Sequence, residues 1–177
     1  MATTRSIGST GGAVHCAPTP FHIDPVLVLS SGFLATLAIT TVMSVLLWFG
    51  VAQVDLPIWV SRLFASDPVK VQAVGLGIHL TMGLGFAWVF ALVEPRLRFS
   101  PSRNGLVFGL VLWVIVQAIG VPAMSEVASL IHADRSVSVG WLASRLGVGA
   151  AAASLVAHVA YGVTLGFVYG RHGDRDR

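Results

Sequence analysis

Residues Pro25–Val54 read PVLVLSSGFLATLAITTVMSVLLWFGVAQV, with no Lys, Arg, Asp or Glu anywhere in the run. A helix needs about 20 predominantly apolar residues to cross the hydrocarbon core of a bilayer. This stretch exceeds that length. Val71–Val93, Asn104–Ser125 and Leu146–Gly170 share its character: each lacks those four residue types and each is bounded by charge. The expected fold is an all-α membrane protein with four transmembrane helices in a compact bundle. The spans are expected at about 26–51, 71–93, 105–124 and 147–169.

Composition agrees. Of 177 residues, 55% are hydrophobic and only 11% are charged, and the mean hydropathy is +0.80. A soluble domain carries roughly 25% charged residues, so in water this chain would expose too much apolar surface. One transmembrane domain is expected over 25–170, between a disordered tail at 1–24 and a short C-terminal tail at 171–177. The first 24 residues are polar, rich in Ser, Thr, Gly and Pro. Gly50-Val51-Ala52 has the small-x-small form of a cleavage site, but the apolar run before it is about twice a signal h-region in length. Net charge is +3, and the bases stand singly at segment ends, which suits lipid headgroups rather than nucleic acid. The only cysteine is Cys16, so no intrachain disulfide can form, and His15-Cys16 is too small a cluster for a metal site.

Four spans place both termini on one side. Arg5, Arg96, Arg98, Arg103, Arg171, Arg175 and Arg177 fall on that side; Arg62, Lys70, Arg135 and Arg145 fall on the other. The positive-inside bias therefore favours cytoplasmic N- and C-termini in a bacterial inner membrane. Trp48, Trp59, Trp88, Trp141 and Tyr169 lie near segment ends, where amphipathic rings form an interfacial belt. In the two loops opposite the termini, Leu56–Phe64 and Glu126–His132 each have an apolar character. Either could lie flat in the interface or fold over the bundle. Pro122 reads as the terminator of helix 3.

Helix 2 contains His79-Leu80-Thr81-Met82-Gly83 and helix 4 contains His158-Val159-Ala160-Tyr161-Gly162. Aligned on these, Phe90 falls opposite Tyr169. Trp59–Leu63 resembles Trp141–Leu146, and Gly50-Val51 and Gly120-Val121 close helices 1 and 3. The pattern suggests a duplicated helical hairpin, a parallel repeat about an axis along the membrane normal. Residues at i and i+4 share a helix face. Helix 2 then carries Gly75, His79, Gly83, Ala87 and Ala91; helix 4 carries Ala150, Ser154, His158, Gly162, Gly166 and Gly170. These are small-residue seams that let backbones approach closely. They predict that helices 2 and 4 touch. On helix 1, Gly32, Thr36, Thr40 and Ser44 make a small polar stripe. On helix 3, Gly105, Gly109, Trp113 and Gln117 share a face.

On Thr40-Thr41-Val42-Met43, Asp55-Leu56-Pro57, His79 with Gly83, His158–Gly162, Gly166 and Tyr169-Gly170, the chain resembles a family of small bacterial four-helix membrane proteins of unknown function. The likeness covers roughly residues 32–170. It implies the fold and an inner-membrane location, and no activity.

An ionisable side chain inside a span is a functional hypothesis by default. Three readings follow for His79 and His158. Each could hydrogen-bond a neighbouring helix through Thr36, Thr40, Gln117 or Tyr161, as packing glue. The two could ligate a b-type haem in a slot between the glycine seams. Or they could line a path for protons or a small substrate. No span holds Asp or Glu, and Ser125-Glu126 with His132, Asp134 and Arg135 is too common a cluster to read as catalytic. No phosphate-binding glycine loop is present. The expectation is a non-enzymatic structural or accessory membrane subunit, without cofactor or metal, that meets the lipid bilayer and associates through its small-residue helix seams into a homo-oligomer or a larger membrane complex.

Overall fold

The computed structural model describes residues 23–52, 56–62, 64–131 and 147–173. Residues 1–22 of the expected N-terminal tail, with Arg5, His15 and Cys16, the Trp141–Leu146 half of the repeat, and His132, Asp134, Arg135 and Arg145 all lie outside them. The described chain is helical, with no strand. Its helices are α1 (Pro25–Trp48), α2 (Leu56–Ser61), α3 (Pro68–Val93), α4 (Pro101–Ile115), α5 (Val121–Ile131) and α6 (Val148–Gly173). Four stretches are long and apolar enough to cross a membrane: Pro25–Trp48, Pro68–Arg96, Pro101–Val127 and Val148–Gly170. They are spans 1 to 4 below.

Three spans start by the same local device. Pro25, Pro68 and Pro101 each occupy the first helical turn, where a missing N–H costs nothing and φ is already set. The Asp24 side chain accepts from the amides of Val26 and Leu27, and Asp67 accepts from Val69 and Lys70. Each thereby satisfies two of the amides that a helix start leaves unpaired. Span 2 consequently begins before Lys70, earlier than the charge-bounded estimate of 71. Gly50, at φ +70°, ends span 1; the left-handed region is open to glycine at little cost.

Span 3 differs from expectation. Pro122 does not terminate it, and Gly120-Val121 does not close it. The chain passes from α4 through a π-turn at Val116–Gly120 into α5, which runs on to Ile131. The Val121 amide reaches back to the Val116 carbonyl, five residues away. Proline lacks an N–H and its ring crowds the carbonyl four residues earlier. The wider π-turn absorbs that misfit, so the helix continues. Glu126, expected to open an interfacial segment, is part of this helix.

The packing order of the spans is 2–1–4–3: span 2 lies on span 1, span 1 on span 4, and span 4 on span 3. Helices 2 and 4 were expected to face each other through their seams. Instead each seam closes on the preceding helix of its own hairpin. A Cβ added to Gly83 of span 2 would overlap Thr36 Oγ1 of span 1, and one on Gly32 would come within 2.6 Å of the Ala87 Cβ. In the second hairpin a Cβ on Gly162 would overlap the Gly105 carbonyl and stand 2.8 Å from the Gly109 Cα; one on Gly166 would stand 2.8 Å from the Gly105 Cα. Span 4 also fills its seam end at Gly170 against Pro101. Gly75 is buried on span 2. Lipid gives apolar helices no hydrophobic drive to associate, so backbone-to-backbone approach and its dispersion contacts supply the cohesion.

The core joins all four spans through Val28, Ala35, Ile39, Ala87, Phe90, Leu112, Ala157, Tyr161 and Leu165. Phe90 meets Phe108 edge-on at 5.2 Å between centroids and Tyr169 at 5.8 Å. Tyr169 is thus a buried core residue (9% exposed), not part of an interfacial belt; Trp48, 88% exposed, fits that belt. The short helix α2 packs on span 2, with Ser61 fully buried and its hydroxyl turned to the Ile58 carbonyl. Val26, Leu29, Phe33, Val89, Val114 and Phe167 face outward, as lipid contact requires.

Candidate functional site: a polar cluster in the bundle interior

His79 stands eleven residues into α3 and His158 ten residues into α6. At 1.5 Å per residue these are depths of about 16 and 15 Å, near the middle of a hydrocarbon core of about 30 Å. Polar side chains at that depth must find partners inside the protein, and here they fasten helix to helix.

Spans 1 and 2 are joined by Thr40 and His79, with Oγ1 3.3 Å from Nδ1. Thr40 has one hydroxyl proton, and it is donated to the Thr36 carbonyl at 2.7 Å. Thr40 must then accept from the ring, so Nδ1 of His79 carries the hydrogen. Thr36 likewise donates to its own helix, to the Gly32 carbonyl at 2.7 Å. Its role is to fill the notch above Gly83 rather than to bond a histidine.

Spans 3 and 4 are joined by Gln117, whose Nε2 donates to Ser154 Oγ at 2.8 Å. Gln117 is 1% exposed and sits inside the π-turn, which sets its side chain toward span 4. Spans 2 and 4 meet through the Tyr161 hydroxyl, which donates to the Gly83 carbonyl at 2.6 Å.

His158 stands apart. Its Nδ1 lies 2.8 Å from the Ser154 carbonyl one turn earlier in the same helix, and 3.5 Å from Ser154 Oγ. A carbonyl only accepts, so Nδ1 carries the hydrogen here too and Nε2 holds the lone pair. The structure therefore brings Thr40 to His79, Gln117 to Ser154, and Tyr161 to Gly83, with His158 turned to the same Ser154. It does not place a flat slot between two glycine seams, because Thr36 and the backbone of span 3 fill them.

Two polar atoms of the cluster are buried without a partner: Gln117 Oε1 and Trp113 Nε1. Thr40 also borders a surface hollow of about 540 Å³ lined by Thr41, Ser44, Val45, Trp48 and Phe49. Among the described residues no group of three or more His, Cys, Asp or Glu is placed to hold a metal ion.

Sequence reasoning passed over Asn104, which it used only to mark a boundary. Asn104 is buried (1% exposed). Its Oδ1 accepts from the Phe99 amide at 3.1 Å and its Nδ2 donates to Glu94 Oε1 at 3.4 Å, which pins the connection between spans 2 and 3. An uncharged amide at the head of the apolar run, directly after Arg103, was the available signal.

No curated protein and no solved structure matches the chain. A family model does, from Asp24, the N-cap of span 1, through the C-terminal tail. It matches residues 24–177, and the chain belongs to that family, DUF6789, a family of unknown function.

Proposed function

We propose that this multi-pass membrane protein is a non-enzymatic structural or accessory subunit of the bacterial inner membrane. The observation that carries the reading is the use made of the interior polar groups. Thr40–His79, Gln117–Ser154 and Tyr161–Gly83 each tie one helix to another. Side chains that are committed to holding neighbours together are those expected of a scaffold. The seams are filled within the chain, so the surface left for association with another copy or a larger complex is the outward apolar face. The positive-inside bias supports cytoplasmic termini. A duplicated hairpin is supported by the shared device, Gly83 against span 1 and Gly162 against span 3. The two halves have diverged, since spans 1 and 4 pack extensively and spans 2 and 3 do not.

A second reading, a small conductor of protons or a polar solute, is favoured by one specific feature. His158 makes its hydrogen bonds within its own helix and shares Ser154 with Gln117, whose Oε1 has no partner. The haem reading has less support, because the slot it needs is filled.

One preparation tests these together: extraction from native membranes in mild detergent, followed by size analysis, a visible spectrum and reconstitution into liposomes. The scaffold reading expects an oligomer or a second polypeptide at fixed ratio, a flat visible spectrum and no flux. A monomer whose proton flux disappears in His158→Ala would overturn it in favour of the conductor. A Soret band lost in His79→Ala and His158→Ala would overturn it in favour of haem.

A further inference from the structure

Gln117 is 1% exposed and its Oε1 has no partner; one helical turn earlier, Trp113 Nε1 is buried without one. The first is an acceptor and the second a donor. Four positions apart, they share a helix face. That face turns to span 4, as Gly105 and Gly109 show by abutting Gly162 and the His158 carbonyl, and as Gln117 shows by bonding Ser154.

Buried polar atoms in folded proteins almost always have a partner. In a membrane interior no bulk solvent stands ready to supply one. The two atoms do not satisfy each other. Side chains four positions apart on one helix face stand about 5–6 Å apart at Cβ, a separation that one small molecule can span. One small molecule that both accepts and donates would serve both atoms: it accepts from the indole N–H and donates to the amide oxygen. Turning the amide over would make its nitrogen the unpartnered atom, and the bridging molecule would then accept from both sides. π-turns recur at functional sites, and this one holds Gln117.

We infer that span 3 carries a buried water-binding site between Trp113 Nε1 and Gln117 Oε1, facing span 4 at the π-turn. The ligand class is a small amphiprotic molecule, and water is the one every membrane protein meets. Through the Gln117 amide and Ser154 this water belongs to the same hydrogen-bonded cluster as His158. The site stands independently of the scaffold reading.

Radiolytic labelling tests it. X-ray pulses turn a bound water into hydroxyl radical, which oxidises the side chain it touches; mass spectrometry then locates the oxygen. The intact protein in lipid nanodiscs would be pulsed in H2(18)O after a timed soak. Tyr161 is the dry control, buried with its hydroxyl committed to the Gly83 carbonyl. Trp113 should be labelled several-fold above Tyr161, and in Gln117→Met it should fall to the Tyr161 level. Trp113 labelled no more than Tyr161 would overturn the site. Labelling that persists unchanged in a folded Gln117→Met protein would overturn the pairing with Gln117. If that variant does not fold, the wild-type ratio of Trp113 to Tyr161 decides alone.

Discussion

The Tyr161 hydroxyl donates a 2.6 Å hydrogen bond to the Gly83 carbonyl, across two helices that otherwise have little backbone contact. Gly83 is also where Thr36 of span 1 seats itself. One glycine thus gathers spans 1, 2 and 4. The absence of a side chain there admits Thr36 and leaves the carbonyl open to Tyr161.

Tyr161→Phe keeps the ring and removes the donor. Interhelical hydrogen bonds in membrane proteins contribute about 0.6 kcal/mol on average and up to about 1.7. Because the hydroxyl is buried, the upper half of that range is expected. Unfolding in a graded denaturing detergent mixture, wild type against variant, measures it.

Glycines should divide by what a methyl group would meet. Gly162→Ala and Gly105→Ala drive a Cβ into the backbone of the opposing helix and should each destabilise by about 1–3 kcal/mol, the usual range for overpacking. Gly77 and Gly85 have nothing within 4 Å. Alanine there should be neutral or stabilise by up to about 1 kcal/mol, from helix propensity. Thermal melts of the four variants in one lipid check the contrast.

The cap of span 2 is a third target. Asp67→Ala removes the acceptor shared by the Val69 and Lys70 amides and should cost about 1 kcal/mol; Asp67→Asn should cost much less. Amide exchange at Val69 and Lys70 should rise in the alanine variant alone.

Topology is testable through the single cysteine. With cytoplasmic termini in a bacterial inner membrane, as proposed, a membrane-impermeant maleimide should label Cys16 only after that membrane is permeabilised. Labelling of intact spheroplasts would reverse the orientation.

The number of spans was legible because charge disappears for the length of each, and lipid enforces that pattern strongly. Their starts were partly legible: Asp24-Pro25 and Asp67-Pro68 are an acidic cap followed by an N1 proline, a signal that outranks the charge of Lys70. Their partners were not legible. An i, i+4 stripe such as Gly75, Gly83 and Ala87 names a face but not the helix it meets, and the seams of spans 2 and 4 turned to spans 1 and 3 instead. Pro122 misled because a local rule, that proline ends helices, was offset by a π-turn with no sequence signature of its own. Of the polar residues, Thr40 was one of four candidate partners for the two histidines, and spacing did not say which histidine it would meet. His158 turning back on its own helix depends on side-chain geometry that spacing does not determine.

The central claim is that interior polar pairs hold the helices together. A double-mutant cycle of Thr40→Val and His79→Leu tests it most directly, read as unfolding free energy in one lipid composition. The account predicts a favourable coupling of about 0.5–1.5 kcal/mol between the two positions. Coupling indistinguishable from zero, with each single variant as stable as the wild type, would contradict it.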